Sequence, residues 1–129
     1  MGRSAGGTGV RRSMGDAFHS DCPARMVLDH VTSKWGVLIL AALRERDLRF
    51  FELRGRIEGV SEKMLSQTLR MLVRDGLIRR TVSPASPPQV SYGLTALGAA
   101  LAEPLDTLLE RVRTRARQVL AAQRAHDAR

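Results

Sequence analysis

The stretch Ile57–Leu94, IEGVSEKMLSQTLRMLVRDGLIRRTVSPASPPQVSYGL, decides the fold. Its opening Glu58-Gly59-Val60 is a short glycine-containing turn of the kind that joins two helices at a steep angle. Ser61 then caps a helix, because its hydroxyl accepts from backbone N–H groups that have no partner inside the first turn. Glu62 follows against the positive end of the helix dipole. Two faces separate along this helix. Met64, Leu65, Thr68, Leu69 and Leu72 point one way, and Lys63, Ser66, Gln67, Arg70 and Arg74 point the other. Asp75-Gly76 ends it. Leu77–Val82 and Gln89–Leu94 read as two strands, and Ser83–Pro88, with three prolines, is too long and stiff for a tight hairpin turn. The expected result is a protruding two-stranded wing.

Upstream, Cys22-Pro23 opens a helix to about Val31, with proline tolerated at the first helical position. Thr32 or Ser33 caps a second helix whose stripe is Trp35, Leu38, Ile39, Ala42 and Leu43. Arg44–Asp47 ends it, Leu48-Arg49-Phe50 reads as a short edge strand, and Phe51, Leu53 and Ile57 fit a third helix of two turns stopped at Gly59. Downstream, Thr95 caps a last helix with the stripe Leu97, Leu101, Leu105, Leu108, Val112, Ala116 and Val119. Pro104 is expected to bend this helix or to mark a break near Leu101.

The chain has 129 residues, 43% of them hydrophobic, which supports one domain with one core. The longest apolar run, Val37–Leu43, is too short to span a membrane. With no apolar signal segment after Arg11-Arg12, a cytoplasmic protein is expected. One cysteine, Cys22, excludes an intrachain disulfide and a multi-cysteine metal site. Five aromatics are too few for a platform that stacks single-stranded nucleic acid.

Charge says more. The formal charge is +8, the sequence pI is about 11.3, and 19 of the 21 basic residues are arginine. Such a balance fits a chain that meets a polyanion, although solvated surface charge is the plain alternative. The charge is uneven: residues 61–80 carry +3, 81–110 carry −3 and 111–129 carry +5. Residues 1–18, with Gly2, Gly6, Gly7, Gly9 and Gly15, cannot bury enough apolar surface to order themselves and are expected to form a disordered basic arm. Residues 19–129 are then a single domain with its C-terminal helix at about 95–125.

The expected class is mainly α (α+β), and the order helix, helix, strand, helix, helix, strand, strand, helix is that of a winged helix-turn-helix. The helix after Ser61 would be the recognition helix. Its outward face offers arginine for guanine, glutamine for adenine, serine for either and lysine for phosphate. Viewed alone, such a face is more often merely solvated; the turn and the wing beside it reverse that weighting. Ser61, Lys63, Ser66, Gln67, Arg70 and Arg74, with Gln89 on the wing, are the candidate DNA-binding residues. Lys34, Arg49 and Arg11-Arg12 are candidates for phosphate contacts that position the protein without reading sequence.

These segments resemble the HxlR family of bacterial winged-helix transcriptional regulators, related to the MarR regulators. The resemblance is carried by Cys22-Pro23, Lys34-Trp35 with Leu38-Ile39, Arg49-Phe50 with Glu52-Leu53, Ile57–Leu69, Asp75–Arg79 and Pro87–Gly98. It covers residues 22–101. Where the family usually has Gly-Gly before Lys-Trp, this chain has Thr32-Ser33, and where the wing usually carries Arg and Glu it has Gln89 and Ser91. Loss of that arginine puts the wing's share of binding in question. The resemblance implies a homodimer bound to an inverted repeat in double-stranded promoter DNA, with repression as the default outcome.

The long apolar stripe of the last helix agrees with a dimer, because it offers more apolar face than one small domain can cover. We expect Leu97–Leu105 to pack on the chain's own domain and Leu108–Val119 to pair across the dimer, against the helix that starts at Pro23. Two recognition helices would then lie roughly 34 Å apart, one turn of duplex. Some members of the resembled family sense oxidants or electrophiles through a cysteine at the position of Cys22; a small buried packing cysteine is the alternative. His19, His30 and His126 lack metal spacing, no Ser-His-Asp order sits on plausible elbows, and no phosphate loop follows a strand, so neither an enzyme nor a cofactor is expected. Two rivals remain: a nonspecific architectural DNA binder and a winged helix used as a protein-interaction module. The operator and any small-molecule effector are not encoded legibly.

Overall fold

In the computed structural model, which describes residues 17–129, a capping side chain opens four of the five helices. Helix α1, Pro23–Thr32, starts at Cys22, whose Sγ accepts from Ala24 N. Helix α2, Lys34–Glu45, is capped by Ser33, whose Oγ accepts from Gly36 N, so Ser33 and not Thr32 does this work. Strand β1 is only Leu48–Arg49, since Phe50 already belongs to helix α3, Phe50–Arg56. Helix α4, Glu62–Arg74, is capped by Ser61, and helix α5, Ala96–Asp127, by Thr95. Between them lie β2, Ile78–Ser83, and β3, Gln89–Leu94.

The three strands form one antiparallel sheet in the order β1-β3-β2, so the expected wing is joined by the edge strand. Leu48 faces Tyr92, Arg49 faces Ser91, and β2 runs against β3 from Ile78–Leu94 to Ser83–Gln89. Below the sheet, Ile39, Leu40, Leu53, Leu65, Leu69, Leu72, Leu77 and Ile78 are almost completely buried and bring α2, α3, α4 and β2 into one core. Ala102 and Leu105 of α5 close it from the other side. Truncating any of these leucines to alanine is expected to cost about 2–5 kcal/mol, transfer and cavity terms together.

Four expectations are corrected. Strand β2 starts one residue late because Leu77 is held in the turn: its N–H donates to Leu72 O and its carbonyl accepts from Thr95 N. Pro104 makes no break near Leu101: α5 is continuous from Ala96 to Asp127. Both Pro104 and Ala100, whose carbonyl loses its usual donor, lie on the exposed side, where water can replace the bond. Leu97 is not in the packed stripe but 56% exposed; Gly98, Ala102 and Leu105 make the buried contact. Met64 is 39% exposed. At about 100° per residue it stands on the flank of α4, a quarter-turn from both Lys63 and Leu65. The arm expected over 1–18 falls mostly outside the described residues. Its last two, Ala17 and Phe18, lie in a turn where their carbonyls accept from the Arg25 guanidinium.

Candidate nucleic-acid interface

The recognition geometry begins with Gly59. Its φ of 93° lies in the left-handed region, which glycine adopts without penalty, and lets the chain turn between α3 and α4. A Cβ there would lie 4.0 Å from the edge of the Trp35 ring, so α2 underlies the turn. Across the turn, Arg54 of α3 pairs with Glu62 at the start of α4 at 2.8 Å. The packing that orients α4 is its other side: Leu65, Thr68, Leu69 and Leu72 are buried, and Thr68 satisfies its hydroxyl by donating to Met64 O.

That burial leaves Lys63, Ser66, Gln67, Arg70 and Arg74 in one outward stripe, spaced three or four residues apart. All are exposed except Ser66, which is half-buried at the stripe's margin. Ser61 Oγ accepts from Met64 N at 3.1 Å, which leaves its hydroxyl hydrogen free to donate outward. Lys34 sits in the first turn of α2 with its Nζ 4.3 Å above the Trp35 ring, beside the Gly59 turn. Arg49 stands opposite Ser91 in the sheet, and Gln89, two residues along β3, shares that face; both are exposed. The sheet face and the α4 stripe are therefore two groups of candidates, joined by the packed core beneath them. Arg11 and Arg12 lie outside the described residues.

Ion pairing takes up part of the basic surface near these cations. Arg44, Arg46, Arg54, Arg56, Arg79 and Arg113 each have a carboxylate within 4 Å. Among the described residues, no ion pair is formed by Lys34, Arg49, Lys63, Arg70 or Arg74. Lys34, Lys63, Arg70 and Arg74 thus have no carboxylate within ion-pairing distance, as a phosphate-facing surface requires, while Arg49 acts electrostatically on Glu52. Arg80 of β2 belongs with them: it is exposed and unpaired, whereas its neighbour Arg79 is spent on Asp47 and Leu94 O. The strand reading passed over Arg80, which only the pairing pattern distinguishes from Arg79. One carboxylate is kept charged close by: Glu52 Oε1 accepts from Arg49 N at 2.8 Å, and this bond holds its carboxyl below the ordinary carboxylate value.

Cys22 is 2% exposed, at the first corner of α1. No group of three or more His, Cys, Asp or Glu is placed to hold a metal among the described residues. No single helix among the described residues is long and apolar enough to cross a membrane.

Residues 30–119 match the HxlR-like helix-turn-helix family model. The chain is 50% identical over 107 residues to the HTH-type transcriptional regulator YtfH of Escherichia coli (strain K12), covering 83% of this chain and 85% of that protein. Among solved structures it is similar to the transcriptional regulator ytfH from Salmonella typhimurium, with TM-score 0.78 and 47% identity over 83% of this chain and 96% of that one. It is also similar to the redox regulator HypR in its reduced form, with TM-score 0.69 and 30% identity over 78% of this chain and 98% of that one. The winged fold, the glycine turn and the match over most of the sequence agree: this chain belongs to the HxlR-like helix-turn-helix family of transcriptional regulators.

Proposed function

We propose that the chain acts in the cytoplasm as a homodimeric, non-enzymatic repressor that reads an inverted-repeat operator in double-stranded DNA. The observation that carries this reading is the α4 face, where Lys63, Gln67, Arg70 and Arg74 stand exposed and unpaired. Gln67 and Arg70 are the base-reading residues. Ser61, Ser66, Lys63 and Arg74 flank them, and Lys34, Arg49, Arg80 and Gln89 hold the phosphate backbone. Dimerisation is supported by the distal part of α5, where Leu108, Val112 and Val119 are more than half exposed and Leu120 is 49% exposed. Helix α1 exposes Met26 and Leu28 on its two flanks, with Asp29 on the helix and Asp21 just before it to meet the arginines that flank the α5 stripe. Bound at a promoter, such a dimer blocks access by polymerase.

Footprinting on DNA flanking the chain's own gene, followed by titration on the protected and on scrambled duplexes at several salt concentrations, tests this. Sequence-selective protection of two half-sites about one helical turn apart is the expected result. Equal affinity for both duplexes would favour an architectural binder, and no binding to either would favour a protein-interaction module.

A second reading, thiol regulation, is favoured by Cys22 at the start of α1 and by similarity to a redox regulator. Since Cys22 is buried, α1 must open locally before an oxidant such as diamide can remove the hydrogens of two thiols and join Cys22 between subunits. Operator binding unchanged in wild type after full thiol modification would make Cys22 a packing residue.

A further inference from the structure

The C-terminal end of the recognition helix carries an acid where the helix dipole disfavours one. Asp75 caps α4 at its negative end, where a carboxylate is normally destabilising. Its side chain is only 11% exposed and its Oδ2 accepts from His30 Nδ1 at 2.6 Å. His30 lies in the last turn of α1, 45 residues away in sequence. The other side-chain hydrogen bonds from α1, made by Arg25 and Thr32, stay local. Helix α1 otherwise lies chiefly on α2, and its outer surface carries the exposed Met26 and Leu28. The His30–Asp75 bond therefore ties the end of the DNA-reading helix to a helix that presents apolar surface to the outside.

The same corner is fixed from a second side. Thr95 N and Oγ1 both donate to Leu77 O, and Oγ1 also reaches Gly76 O. Those bonds are anchored on backbone and hold α5 to the turn after α4. Val31 and Val27 pack α1 on the core, but its hydrogen-bonded tie to the end of α4 depends on two side chains alone, so it is the adjustable one. We propose that His30 and Asp75 are positioning residues for DNA reading: their bond sets the orientation of α4 relative to α1, and through it the discrimination between operator and other sequences. This rests on the DNA-binding function proposed above.

The geometry makes a specific demand, because the donor is Nδ1. The amide nitrogen of asparagine lies the same number of bonds from Cα as Nδ1, whereas that of glutamine lies one bond further. The test uses the full-length protein with two duplexes of equal length: one carrying the site that wild type selects from a randomised library, and a scrambled version. His30→Ala and Asp75→Ala should each lower the ratio of selected to scrambled affinity about tenfold, the scale of one lost hydrogen bond to a charged group. The double variant should be no worse than either single. His30→Asn should restore most of the ratio, and His30→Gln should not. Thermal melting of each variant separates folding from reading, since a packing role would lower the midpoint with the ratio unchanged. A ratio unchanged in His30→Ala, equal weakening on both duplexes, or equal rescue by asparagine and glutamine would overturn the positioning role alone. A wild type that selects no sequence would overturn it together with the DNA-reading function.

Discussion

Replacing Val112 and Val119 by glutamate should convert the proposed dimer to a monomer without unfolding it. Both positions lie on the part of α5 beyond the core, and they are 60% and 55% exposed. Glutamate is a good helix former, so α5 keeps its local stability. Complete burial of a valine side chain is worth about 1.5–3 kcal/mol, so covering the exposed half of each contributes about 1 kcal/mol. An isologous interface counts every position twice. The pair then accounts for about 4 kcal/mol, roughly a thousandfold in the dimer Kd, before the cost of burying a carboxylate is added. Sedimentation velocity at about 10 μM, far above the affinities at which operators are bound, should find a dimer in wild type and a monomer in the double variant. Single half-sites should bind both proteins alike, whereas the complete operator should lose the gain from linkage. A folded double variant that remains a dimer at submicromolar concentration would refute this interface, and a monomeric wild type would refute dimerisation itself.

Gln67→Ala or Arg70→Ala should relax base choice at one step of each half-site by about 1–3 kcal/mol; in a titration against single-base operator variants, uniform weakening would reduce both residues to phosphate contacts. Gly98→Ala should destabilise the fold by about 3 kcal/mol, despite a helix-propensity gain of about 1 kcal/mol. The new Cβ would lie 1.8 Å from Leu77 O, a backbone atom that cannot swing aside. A denaturant midpoint equal to wild type would show that the α5 joint yields. Acid should weaken α3 through Glu52, whose carboxyl is held low by Arg49 N–H. A depressed folded-state value adds stability above the ordinary carboxylate pKa, and that stability is lost as pH falls through the folded value. Glu52→Gln keeps an acceptor for Arg49 N but cannot titrate, so its urea stability should fall less than wild type between pH 7 and about pH 3; identical losses would remove Glu52 from the acid response.

The helices and strands were legible because their signals are local. Ser33, Ser61 and Thr95 cap as hydroxyl residues before apolar periodicity should, and each accepts from an N–H three residues on. The outward stripe of α4 follows from spacing alone, but its margin does not: residue type places the hydrophobic Met64 inward, while its angular position puts it on the flank, 39% exposed. In α5 a strict reading of Leu97, Leu101 and Leu105 selected large side chains. The buried line instead runs through Gly98 and Ala102, because α5 approaches the Leu77 turn too closely for anything bulkier. Sequence spacing carries no record of such backbone-to-backbone approach. Nor does it record which arginines find carboxylates, so Arg79 and Arg80 look alike until the sheet register brings only the first to Asp47.

That close approach bears on how a dimer of this chain would hold its DNA-reading helices. Helix α5 has 32 residues, which at about 1.5 Å each makes a rod close to 48 Å long. Its inner half is packed on the core through Ala102 and Leu105, and its outer half is exposed along a continuation of the same face. Because Gly98 lies directly against the Leu77 carbonyl, no flexible side chain cushions the joint between this rod and the turn that ends α4. A rotation of the outer half against a partner is then transmitted to the start of β2 with little loss, since close-packed backbone yields less than interdigitated side chains. The compliance lies on the other flank of the same turn, in the single His30–Asp75 bond. In the proposed dimer α5 therefore sets the separation of the two recognition helices, and α1 trims their tilt. Changes at the α5 joint should act on folding first, whereas changes at the α1 tie should act on reading first.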